Sequence, residues 1–138
     1  MKTVIQKEST GCAIASTAVL AGVSYGKAKE VANSINIFAD DTALWSETSY
    51  VRQLLSQFTI KTDDKETPFT DWGSLPDYAL LSIKWHLEGG KPYWHWVVFV
   101  REKGEELVFD SSFRLKNNIR KDFGRMKPKW FIGVELPR

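Results

Sequence analysis

Gln6, Cys12, His95 and Asp110 stand in the chain order that a thiol nucleophile needs for acyl transfer. Cys12 is the only cysteine, so no disulfide can form within the chain and its chemistry must be sought elsewhere. It opens an apolar run, Cys12 to Ala21, six residues after Gln6. The thiolate is the attacking species, and it is favoured at a helix N-terminus and beside an imidazolium. Cys12 receives the first effect from its place in the sequence, whereas the second needs a histidine from elsewhere. Of the two histidines, His86 and His95, the second is better placed. Lys103-Gly104 reads as a two-residue hairpin turn, which faces Glu102 to Glu105 and Val97 to Asp110. Asp110 then lies diagonal to His95 on one sheet face, about 7–8 Å away between backbones and within side-chain reach. A one-residue slip would put them on opposite faces. The carboxylate would hold one ring nitrogen as a donor and leave the other facing the thiol. Charge developing on a carbonyl oxygen calls for hydrogen-bond donors, which the Gln6 side-chain amide and the Cys12 N–H would supply together.

The elements that must position these groups divide the chain in two. The first half reads as helices. Gly11 and Gly22 bracket the small-residue run Cys12–Ala21, and glycine suits a helix C-terminus. Ser24 is placed to cap a second helix through Lys27, Val31 and Ile35. Val51, Leu54, Leu55 and Phe58 recur at helical spacing and predict a third over Glu47–Phe58. The second half reads as strands: Tyr78–Leu87, a turn at Glu88-Gly89-Gly90-Lys91, Tyr93–Arg101, a turn at Lys103-Gly104, Glu106–Asp110, and a last strand over Trp130–Leu136. Trp94 to Val100 is apolar on both faces apart from His95, which predicts a central, doubly covered strand. Helices first and an antiparallel sheet after give the class α+β.

The 138 residues predict one domain, 1–138, with a real core, and 43% hydrophobic with 26% charged residues argues for a globular protein. A net charge of +2 does not by itself mark a nucleic-acid binder. The basic run from Arg114 to Lys129, with Asp122 as its one acid, lacks a recognised module and reads as solvated surface. No apolar stretch reaches the roughly 18 residues of a membrane span. One thiol and no export signal lead to the expectation of a cytoplasmic protein, with a leaderless route of secretion left open. Two His and one Cys at wide spacing offer no zinc site.

Gln6, then Cys12 opening a small-residue helix, then His95 opening a Trp-Val-Val strand, then Asp110 ending the next, resembles the papain-like cysteine peptidases. Within them the chain is most similar to the compact bacteriocin-leader-processing branch, the double-glycine peptidase-like proteins of bacteria and phages. Gly-Cys-Ala-Ile-Ala-Ser-Thr-Ala-Val-Leu-Ala-Gly-Val-Ser-Tyr resembles the start of that branch. His-Trp-Val-Val-Phe-Val and Val-Phe-Asp resemble its second motif. The resemblance implies a papain-like fold, N-terminal helices on a twisted antiparallel sheet. It also implies Gln6 as oxyanion donor, Cys12 as nucleophile, His95 as base and Asp110 as orienter. The implied activity is a thiol hydrolase acting on a peptide or amide bond through a thioester. No cofactor is required. The expected partner is a peptide or protein substrate, with an inhibitor or immunity protein as a further one, and no nucleic acid. Two departures stand out. Gly11 precedes Cys12 and Ala13 follows it, where many members have Gly after the catalytic Cys. Ser111 follows Asp110, where many have Pro.

Plainer readings stand beside this one. A lone Cys in an Ala-rich helix is often a small buried hydrophobe, and a His on a buried strand is often structural. His86 reads as a surface or packing residue that could touch His95 across a Gly89-Gly90 turn. Gly89-Gly90 itself reads as that turn rather than a self-cleavage site. Trp94 and Trp96 alternate with His95 and read as core, whereas Trp72, in a loop beside Gly73, reads as a cleft residue. The rivals in function are a protein glutamine deamidase or transglutaminase-like bacterial effector or toxin using the same groups, a catalytically inactive papain-like binding protein, and an anion-binding module on the late basic run.

Overall fold

The computed structural model describes residues 1–137. Helix α1 (Cys12–Ala21) is buried along all but its last residue. Its small side chains let other elements close on every side, so it lacks the single polar face of a surface helix. Gly22, with φ 71°, ends it in the left-handed conformation, and the Gly22 and Val23 N–H groups bond back to the Val19 and Ala18 carbonyls. Ser24 caps α2 (Tyr25–Ser34) by accepting the Lys27 N–H at 3.1 Å. A 3-10 turn over Thr42–Ser46 then leads to α3 (Ser49–Ser56), which keeps Val51, Leu54 and Leu55 buried but is shorter at both ends than its periodicity suggests. Its C-terminus gives way to Thr59 in a left-handed conformation, φ 62°.

The sheet is antiparallel throughout: β1 (Lys61–Thr62), β2 (Thr67–Pro68), β3 (Tyr78–Glu88), β4 (Lys91–Glu102), β5 (Glu105–Phe109), β6 (Ile119–Arg120) and β7 (Trp130–Glu135). Its order is β1-β7-β3-β4-β5-β6, with β2 also beside β7. A short helix α4 (Phe123–Met126) precedes the last strand. The architecture is α+β: helices α1 to α3, which end at Ser56, lie on a sheet built from Lys61 onward.

Strand β4 lies between β3 and β5, and both of its faces are covered, as its apolar run predicts. One face carries Trp94, Trp96, Val98 and Val100 into the core shared with α1 and α3. The other carries Val97 and Phe99 into a second core with Leu81, Ile83, Val108 and Met126. Each large side chain buried completely, such as Leu54, Leu80 or Phe99, contributes about 1.5–3 kcal/mol. The Lys103-Gly104 turn has both residues at positive φ, 52° and 77°, as a tight two-residue hairpin requires. It fixes Glu102 opposite Glu105 and Val98 opposite Phe109. Gly89-Gly90 turns the β3–β4 hairpin in the same way, with φ 57° and 81°. A bulge between Ile83 and His86 then shifts the β3 register before the sheet continues.

Trp72 departs from its expected place in a cleft. It packs edge-on against Phe69 and Phe123, at 5.1 and 4.8 Å between ring centroids, and beside Phe99, so it closes the second core. Asp71 starts the 3-10 turn beneath it by accepting the Ser74 N–H at 2.9 Å. The loop around it therefore serves packing, because an indole between three aromatic rings buries more apolar area than one facing solvent.

Candidate active site

Strand register decides where the cysteine can sit. Strand β5 stops at Phe109, opposite Val98. Residues Val98, Val100 and Glu102 turn their backbone groups toward β5, and by the same alternation so does Trp96. With β5 ended, the Trp96 N–H has no strand partner, and it donates instead to Cys12 Sγ at 3.5 Å. The N-terminus of α1 thus meets β4 at its open edge. Cys12 is 2% exposed, and the N–H groups of the first helical turn beside it have no intrahelical acceptors.

His95 neighbours that edge and turns to Asp110. Its Nε2 is 2.7 Å from Asp110 Oδ1. The hairpin register therefore delivers the diagonal contact that the spacing predicts. Cys12 also acts on this imidazole, and with Nε2 held by Asp110 the nitrogen left for a sulfur is Nδ1. Burial by itself would push the His95 imidazolium down. The bonds to Asp110 and Cys12 and the negative charge of both outweigh it and raise His95 to about 9. Burial would likewise raise Asp110, but the bond and charge of His95, the Ser112 N–H and Arg120 hold it down at about 2.

Asp110 is 1% exposed, and both of its oxygens are occupied. Besides His95, Oδ1 accepts the Ser112 N–H at 3.0 Å, and Oδ2 accepts Arg120 Nη1 at 3.0 Å. Arg120 turns its Nε and Nη2 onto the two oxygens of Asp122, at 2.9 and 2.6 Å. Asn118 locks the backbone around the site: its side-chain amide donates to the Asp110 and Ser112 carbonyls at 2.7 and 2.8 Å, and its own carbonyl accepts the Asp110 N–H. Arg120 therefore departs from the solvated reading of the basic run. Pairing of β6 with β5 sets Arg120 opposite Val108 and turns it to the buried carboxylate. The one acid in the run, Asp122 two residues on, was the available signal.

Gln6 lies beside these groups, 6% exposed, but its amide is engaged. Nε2 donates to the Glu8 and Ser9 carbonyls at 3.0 and 3.1 Å, and Oε1 accepts the Ser111 hydroxyl at 2.7 Å. The Gln6 N–H also donates to the Ser111 carbonyl at 3.0 Å. The opposite amide orientation would set Oε1 against two carbonyls, so the network fixes the assignment. The loop carbonyls turn inward because Gly11 N–H closes a turn onto Glu8, and both Gln6 donors answer them. The oxyanion role expected for Gln6 thus finds no free N–H here. Gln6 instead braces the loop that delivers Cys12, and Ser111 holds Gln6.

Outer contacts complete that loop. Glu8 accepts from Tyr25 Oη and from Lys29 Nζ, the latter at 2.6 Å, and Thr10 Oγ1 donates to the Ala39 carbonyl. Trp45 Nε1 donates to the Ser9 carbonyl at 3.3 Å while its ring meets Tyr93 edge-on at 6.1 Å. Trp45 thereby bridges the loop before Cys12 and the strand before His95. The Tyr50 hydroxyl donates to the Leu44 carbonyl at 2.9 Å; burial, then the charge of Cys12, pushes this phenol well above its ordinary value. His86 lies outside the site, stacked on Tyr93 and bonded to the Lys84 carbonyl. Trp94 and Trp96 are buried, in edge-on contact with each other and with Trp130. Among the described residues no three His, Cys, Asp or Glu side chains gather where they could hold a metal ion, and no helix is long and apolar enough to cross a membrane. No protein-family model matches the chain, and no curated protein matches it in sequence.

Proposed function

We propose that the chain is a thiol hydrolase of the papain-like kind, acting on a peptide or amide bond through Cys12, His95 and Asp110. The observation that carries this reading is that His95 holds Asp110 at Nε2 while the N–H of the next residue, Trp96, holds the Cys12 sulfur, so groups from separate elements meet at one point of β4. The helices-on-sheet arrangement agrees with it, since it sets a helix N-terminus against the strand that bears the histidine.

Cys12 Sγ attacks the carbonyl carbon, the C=O pair moves onto oxygen, and the N–H of Cys12 receives the oxyanion. When the C–N bond breaks, the amine leaves with the proton of His95 Nδ1, and a thioester remains on Cys12. Water then adds to the thioester as His95 takes its proton, and the acid departs with the thiolate regenerated. Asp110 stays ionised throughout and holds Nε2–H. Gln6 contributes to the oxyanion only where substrate displaces the Glu8 or Ser9 carbonyl from its amide.

A second reading uses the same groups. Cys12 is 2% exposed and His95 15% exposed in its side chain. A protruding glutamine amide reaches such a site more readily than an extended main chain, which favours a deamidase. Incubation of the protein, and of Cys12→Ala, with a denatured protein mixture followed by mass spectrometry separates the outcomes. New peptide termini that depend on Cys12 mean peptidase. A gain of about one dalton at glutamine means deamidase, since hydrolysis exchanges an NH₂ for an OH. No Cys12-dependent product of either kind, across varied substrates, would refute hydrolysis and favour the inactive binding protein.

A further inference from the structure

Arg120 is hydrogen-bonded to neither Cys12 nor His95, yet among the described residues it is the only Lys or Arg bonded to the buried carboxylate that orients the histidine. Its side chain is 15% exposed, against 1% for Asp110. The guanidinium forks onto Asp122 with Nε and Nη2, and this fixes the plane in which Nη1 reaches Asp110 Oδ2. Only Oδ1 then faces His95. A carboxylate with one free oxygen could rotate about its Cβ–Cγ bond and offer either oxygen, or neither, to the ring. With Oδ2 pinned by Arg120 and Oδ1 shared by Ser112 N–H, that rotation is blocked.

We propose that Arg120, held by Asp122, is a positioning residue that fixes the Asp110 carboxylate and through it the tautomer of His95. This rests on the reading of Cys12, His95 and Asp110 as the reacting site. A lysine could supply the charge but not the fork, because an ammonium is a point charge without the planar guanidinium geometry that spans two carboxylates. Among the described residues, few titratable or charged groups face His95 and Asp110. They are Cys12 from α1, Arg120 from β6 and, through Arg120, Asp122 after it; from β3 the residue opposite His95 is Ile83.

Two effects of removing Arg120 oppose each other, which gives the test a decisive sign. Loss of the cation alone would raise the proton affinity of His95, since a positive charge nearby had opposed the imidazolium. Loss of the Asp110 bond would lower it. The experiment is an NMR titration of ¹⁵N-labelled protein, which has only two imidazoles, His86 and His95; His95→Gln assigns them, and exposed His86 serves as internal control. In the wild type a downfield, exchange-protected Nε2–H is expected on His95. In Arg120→Gln that signal should broaden or vanish, and the affinity of His95 for a proton should fall about tenfold. The alkylation rate of Cys12 should fall by about the same factor, in line with losses on removing an outer partner of a functional imidazole. Arg120→Lys should recover only part of this. Asp122→Asn, which leaves Arg120 in place and perturbs folding less, should move each readout the same way by less. A His95 that moves up or stays, with Nε2–H still protected, overturns the positioning role and leaves the site reading intact. Absence of the protected Nε2–H in the wild type overturns the site reading itself.

Discussion

Between pH 6.5 and about 9 the folded chain should hold a proton on His95 that the unfolded chain releases, so stability should fall as pH rises through this window. The native state binds more protons there, which makes the slope negative. Below pH 6.5 both states carry the proton and the contribution is fully present; above about 9 it is lost. The displacement from 6.5 to about 9 corresponds to about 3 kcal/mol at about 1.4 kcal/mol per pH unit. The acid end has the opposite sign. Asp110, held at about 2 against 3.8, stabilises above pH 3.8 and loses that contribution as pH falls through 2, amounting to about 2 kcal/mol. These figures view one ion pair from its two members and do not add. Urea unfolding at steps from pH 6 to 10, for wild type and His95→Gln, isolates the alkaline effect as the difference between the two curves. The expected difference curve falls by about 3 kcal/mol. In Cys12→Ala the fall should end at lower pH and be smaller, because one of the two partners of the imidazolium is gone. A flat difference curve would show that His95 titrates as it does in the unfolded chain, and the ion-pair account would be wrong.

Other consequences follow from single contacts. Gln6→Glu replaces the NH₂ that makes both bonds with one oxygen facing the Glu8 and Ser9 carbonyls and should cost about 2–3 kcal/mol in chemical unfolding; unchanged stability with lost activity would instead restore Gln6 as oxyanion donor. Gly11→Ala would drive a methyl into the Tyr25 phenol, so about 1–3 kcal/mol should be lost with the Tyr25–Glu8 contact; a wild-type melting temperature would refute that packing. Trp45→Ala removes the bridge between the Ser9 loop and Tyr93. Loss of about 1 kcal/mol of contact should speed alkylation of Cys12 about fivefold, and an unchanged rate would show that Trp45 does not limit access.

What the residues announced and what they concealed divide along one physical line. Local pattern with a strong period was legible: α1 between its two glycines, the Ser24 cap, and the long strands β3 and β4 all lie where spacing places them. The contact of His95 with Asp110 was legible too, because a two-residue turn fixes register across a hairpin without reference to the rest of the fold. The two-residue strands β1, β2 and β6 were not, since two residues carry no periodicity and pair only because a neighbouring strand is already present. Arg120 was hidden for the same reason. Among Lys116, Lys121 and Arg125 nothing local separates it, and only the β5–β6 pairing turns it to Asp110. Trp72 misled because a loop position beside glycine suggests exposure, whereas Phe69, Phe99 and Phe123 converge on it from three distant segments. Gln6 was found as a residue of the site, but its donors are taken by carbonyls whose direction depends on the turn at Gly11.

The central claim is that Cys12 reacts through His95. The rate of Cys12 alkylation by iodoacetamide against pH, for wild type and His95→Ala, tests it most directly. The wild type should react faster than His95→Ala on the acid side, and the two rates should follow different pH curves. A Cys12 whose rate follows the same pH curve in both proteins, or that is inert in both, would contradict it.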